Sequence, residues 1–285
     1  MLLIVNSAAH FLVDALCVTT LLSAGAEGAA LTAAVVVYNC LAFGTQCLAG
    51  LLLDRVRHET AWNSAAMVLT ALGFAMPLPF FARVVMVGAG NSLFHVAGGV
   101  MTLRESRGRA WQLGVFVAPG ALGVTLGMTA PRFGWVLAAL LVLAAVLVPW
   151  LAARTPRTLE YDHAAEHGLT ELPLAAVLLL TAAVAVRAVG GAAVRFPWKS
   201  GAGAAWLMTA FVAAGKAAGG FVCDRLGARR TAWVSIPLAA VCIAFFAAYP
   251  APSLIGQLLL NLTMPVTLWL LYRAMPDQPG FAFGL

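Results

Sequence analysis

The chain has 285 residues, of which 62% are apolar and only 10% charged, with a formal net charge of +6. A soluble domain usually carries about 25% charged residues, so this composition excludes an ordinary water-soluble fold. The excess of arginine falls in short segments between apolar runs, where it sets membrane orientation, and no nucleic-acid partner is expected.

Apolar runs recur along the whole chain, each near the length that crosses a hydrocarbon core of roughly 30 Å as a helix. In order they are 2–24, 30–53, 60–80, 82–103, 111–130, 134–153, 172–193, 201–223, 231–249 and 253–273. Backbone polar groups in lipid must be paired within the chain, which requires helices. The first run is not a secretory leader: it lacks a basic start and carries His10 and Asp14 inside its apolar stretch. With the N-terminus cytoplasmic, the inner loops hold eleven arginines, among them Arg55, Arg57, Arg104 and Arg225, against Arg83, Arg132, Arg195 and Lys199 outside. That asymmetry predicts a cytoplasmic N-terminus in the cell's inner (plasma) membrane. The polar segment 154–171 reads as a cytoplasmic linker between a six-span half, 1–153, and an incomplete second half, 172–285.

Ionisable and amide side chains inside apolar spans are costly, by about 2.5–3.5 kcal/mol for a charge on insertion scales, and so mark candidate sites. Asn6, His10 and Asp14 are spaced by four and share one helical face. At about 1.5 Å per residue Asp14 lies roughly 18 Å along the first span, near mid-membrane, where it is the sole acid. Asn39 and Gln46 follow in the second span, Asn91 and His95 in the fourth, Arg187 in the seventh, Lys216 in the eighth and Asn261 in the tenth. Each has a plainer alternative. The amides can be hydrogen-bonding glue between helices, His95 a packed histidine, and Asp14 with Arg187 a structural ion pair. Lys216 lies towards the cytoplasmic half and can snorkel.

Between spans eight and nine stands Gly220-Phe221-Val222-Cys223-Asp224-Arg225-Leu226-Gly227-Ala228-Arg229-Arg230. About 170 positions earlier Gly50-Leu51-Leu52-Leu53-Asp54-Arg55 repeats its first half, followed by Val56-Arg57-His58. Asn91 and Asn261, and Gly114 and Gly284, are related by the same offset, which indicates a duplicated bundle. The Gly-x-x-x-Asp-Arg-x-Gly-x-Arg-Arg pattern resembles the loop signature of the major facilitator superfamily. The resemblance implies an all-α major facilitator fold of two six-helix repeats, here about ten spans and the start of an eleventh, a chain cut short at its C-terminus. It also implies a gating role for Gly50, Asp54, Arg55, Gly220, Asp224, Arg225, Gly227, Arg229 and Arg230, the carboxylates meeting an arginine or a helix N-terminus. Topology anchoring is the plainer role for the arginines. Gly88-Ala89-Gly90-Asn91-Ser92-Leu93-Phe94-His95 and the glycine-rich Phe116–Gly127 are similar to segments of fosmidomycin-resistance-type efflux proteins, with Val96-Ala97 where those have Pro-Glu.

The expected function is secondary active transport of a small organic solute or drug by alternating access, as proton-coupled efflux. Proton-coupled uptake of a small metabolite, and a transport-dead sensor or accessory protein, are the alternatives. The expected partners are solute, protons and lipid, with the chain a monomer. No phosphate-binding loop, serine elbow or zinc-protease motif is present, so neither an enzyme nor a cofactor is expected. No metal site is expected either: His163 and His167 have ligand spacing but sit in the polar linker. The five cysteines show no disulfide or ligand spacing. Proton coupling is assigned to Asp14, through a changing distance to Arg187.

Overall fold

A computed structural model describes residues 1–23, 25–155 and 174–285. Among these the chain is all helical: α1 (Leu2–Ser23), α2 (Gly28–Ala42), α3 (Gln46–Val56), α4 (Glu59–Ala75), α5 (Phe80–Glu105), α6 (Trp111–Thr129), α7 (Gly134–Arg154), α8 (Leu174–Ala193), α9 (Gly201–Leu226), α10 (Ala228–Phe246), α11 (Pro250–Ala274) and α12 (Pro279–Gly284). A 3-10 turn, Pro131–Phe133, leads into α7. Counting α2 and α3 as one span, nine stretches among the described residues are long and apolar enough to cross a bilayer. Many large apolar side chains point outward, such as Trp135, Leu143, Trp233 and Phe245, as a lipid-facing exterior requires. Most of the expected linker, with His163 and His167, lies outside the described residues.

The departures from the expected spans have local causes. The second span is broken after Ala42. The Thr45 hydroxyl donates to the Leu41 carbonyl at 2.6 Å instead of leaving the helix ladder undisturbed, and it also meets the Ser92 hydroxyl at 2.9 Å. Span three stops at Ala75, because Pro77 and Pro79 disfavour helix at the residues before them. Its 17 residues reach only about 25 Å. The guanidinium of Arg83 then donates to the carbonyls of Gly73 and Phe74, at 3.1 and 2.9 Å, satisfying that helix end. Span ten begins early at Pro250, which suits a first helical position.

By packing, the chain forms two compact units: Met1–Arg104, Pro119–Glu160 and Asp277–Leu285 in one, Glu105–Ala118 and Tyr161–Pro276 in the other. Within the first, α1 packs on α4 and α7, α4 on α7, and α12 on α3. Within the second, α11 packs on α8, α9 and α10. All five cysteines are free thiols.

Candidate functional site

Asp14 of the first unit is buried and sits at the centre of a polar cluster inside apolar helices. One turn earlier on α1, His10 places Nε2 3.4 Å from Asp14 Oδ2. From α5, the Asn91 amide donates to Asp14 Oδ1 at 2.9 Å, and His95 Nε2 lies 3.9 Å from the same oxygen. The two imidazole rings meet edge to face, 4.4 Å between centroids. His95 Nδ1 is 2.9 Å from the backbone carbonyl of Asn91. A carbonyl only accepts, so Nδ1 carries the hydrogen and Nε2 is the atom turned to Asp14.

Small residues make this approach possible. Gly120, Gly123 and Gly127 on α6 lie against α1. A Cβ at Gly120 would come within 2.5 Å of both Asp14 Oδ2 and His10 Nε2, and one at Gly123 would strike the Phe11 carbonyl. Phe94 packs edge-on to His10, with centroids 5.9 Å apart, and Phe43 faces His95 at 6.3 Å. Nearer the N-terminus of α1, Asn6 donates to the Gly98 carbonyl at 3.1 Å and accepts from Asn63 at 2.9 Å.

Of the residues singled out in the sequence, Asn6, His10, Asp14, Asn91 and His95 are thus brought into one unit on α1 and α5. Asn39 is exposed and bonds its own helix at the Val35 carbonyl. Gln46 is buried at the start of α3 and donates to the carbonyl of Ala42, the last residue of α2. Arg187, half-buried on α8, Lys216 on α9 and Asn261 on α11 belong to the other unit. Asn261 donates to the Gln257 carbonyl, so the repeat-related asparagines do different work. Gly120 and Asn63 were not among the sequence candidates. An asparagine in an apolar span was the available signal for Asn63; for Gly120 there was only its place in a glycine-rich helix.

The repeated loops form a second constellation, one copy in each unit. Asp54 accepts from the backbone N–H groups of Gly280 and Phe281 at 2.7 and 2.9 Å, at the start of α12. Asp224 accepts from those of Ala110 and Trp111 at 2.8 and 3.1 Å, at the start of α6. One turn before each carboxylate stands the repeated glycine. A Cβ on Gly50 would strike the Gly280 carbonyl, and one on Gly220 the Ala110 carbonyl. The glycine lets the neighbouring helix start come close, and the aspartate then satisfies its unpaired N–H groups and complements its dipole. Gly227 ends α9 with φ +84°; at the same offset Arg57 ends α3 with φ 53°. Arg55, Arg225, Arg229 and Arg230 are exposed. No family model matches this chain, and neither does any curated protein.

Proposed function

We propose that this chain is a proton-coupled secondary transporter of the major facilitator type that exports a small organic solute by alternating access. The observation that carries the reading is the duplicated cap, in which Asp54 and Asp224 hold the starts of α12 and α6 at repeat-related positions. A breakable charge-assisted contact repeated in two halves suits a device that must release and re-form as access alternates. Coupling falls to Asp14 with His10 and His95. The two imidazoles lie 3.4 and 3.9 Å from the carboxylate oxygens inside apolar helices, close enough to pass a proton, and Asn91 donates to the carboxylate.

The test is solute-driven proton movement in everted vesicles carrying the protein, read with a trapped pH dye across a panel of small anionic and amphiphilic drugs. The expected result is a dye response to at least one solute, absent in Asp14→Asn. Vesicles that respond to none, with wild type and Asp14→Asn alike, would favour the transport-dead reading.

A further inference from the structure

Independently of transport, we propose that His10, Asp14 and His95 form a binding site for a divalent transition-metal ion of the zinc type. Their ligand atoms, two imidazole nitrogens and a carboxylate oxygen, all lie within 4.8 Å of one another. Around a tetrahedral zinc ion with bonds of about 2.0–2.1 Å, ligand atoms stand about 3.3 Å apart. The His10–Asp14 pair, at 3.4 Å, is already there. The remaining separations need to close by no more than about 1.5 Å.

The hydrogen-bond pattern asks for a cation at this point. His95 Nδ1 donates to the Asn91 carbonyl, so neutral His95 turns the lone pair of Nε2 towards Asp14 Oδ1, which is itself an acceptor. Two acceptors turned towards one another at 3.9 Å are well placed to share a proton or a metal ion. The same pattern is the usual outer support of a metal site, in which a ligating histidine donates its other ring N–H to a carbonyl and a ligating carboxylate receives a hydrogen bond. Asn91 supplies both contacts. Its own Oδ1 is buried with no hydrogen-bond partner among the described residues. A water on the open fourth position of the ion would be a donor for it.

Nitrogen and carboxylate donors, three in number with one open position, suit Zn²⁺ or Co²⁺ and not Mg²⁺ or Ca²⁺, which need a shell of oxygens. The residues sit on two helices, α1 and α5, which fixes their spacing. Metal binding displaces protons from the triad. The titratable groups facing the Asp14 carboxylate are His10 and Cys17 of α1, Tyr38 of α2 and His95 of α5.

The experiment titrates Zn²⁺ and Co²⁺ into the purified full chain in nanodiscs, with His163→Gln and His167→Gln as background and no histidine tag. One equivalent of Zn²⁺ should bind with proton release, and Co²⁺ should give the visible bands of a four- or five-coordinate ion. His10→Gln and His95→Gln should each weaken binding at least tenfold, and Zn²⁺ should raise the Tm of the parent but not of His95→Gln. Should Asp14→Asn fail to fold, the half-buried His95 still decides. A folded parent that binds no Zn²⁺, or binding unchanged in both histidine variants, would overturn the site.

Discussion

Asp54 reaches the backbone N–H of Gly280 at 2.7 Å, and at the matching place of the repeat Asp224 reaches that of Ala110 at 2.8 Å. In each case the glycine one turn earlier removes the Cβ that would keep the two segments apart. This makes the repeated spacing of glycine and aspartate within the chain a single physical unit.

Replacing Asp224 by alanine should uncap α6 at a cost of about 0.5–2 kcal/mol. Hydrogen exchange at residues 110–114 should accelerate by a corresponding factor while residues 90–100 stay unchanged. Asp54→Ala should do the same at 280–283. Unaltered protection in both variants would leave the carboxylates as topology signals.

Gly120→Ala should destabilise the protein by about 1–3 kcal/mol, because the added methyl overlaps Asp14 and His10. Gly190 on α8 meets nothing within 4 Å of an added Cβ. Gly190→Ala should therefore be neutral or gain about 0.5–1 kcal/mol by restricting the unfolded chain. Thermal melting in detergent separates the two, and equal Tm values would contradict the close approach of α6 to α1.

At Gly227 the backbone stands at φ +84° and ψ 152°, a region open almost only to glycine. Gly227→Ala should cost about 1–3 kcal/mol with no contact to offset it. A Tm equal to that of the parent would show that the end of α9 relaxes freely.

Asp14→Asn keeps the shape of the side chain and removes its charge. On the proposed transport function, the variant should fold, exchange solute down its gradient and lose its response to a pH gradient. If the cluster were only structural, the substitution would act like a broken buried pair, costing about 3–5 kcal/mol, and surviving protein would still follow pH. That second pattern would take Asp14 out of the mechanism.

Orientation is open to direct measurement. In a background lacking the five cysteines, single cysteines at 105–108 and 226–229 should be labelled from the cytoplasmic side, and at 25–28 and 196–200 from outside. Labelling of 226–229 only from outside would reverse the arginine argument.

The sequence by itself determined the order and rough extent of the helices, because apolar run length acts through local backbone geometry, while the break after Ala42 and the early stop at Ala75 were not read from it. It also placed Asn6, His10 and Asp14 on one face, since helical period is a property of a single element. The repeat of Asp54 and Asp224 was legible for the same reason, and the helix starts they cap were not. Only the tertiary structure decided that Asn91 and His95 meet Asp14, that Gly120 closes on His10, and that Asp54 takes Gly280. In a membrane the apolar faces of helices are chemically alike, so the helical period does not choose which face meets which neighbour. That choice rests on small residues that allow close approach and on buried polar groups that must find partners, and both are satisfied only in three dimensions.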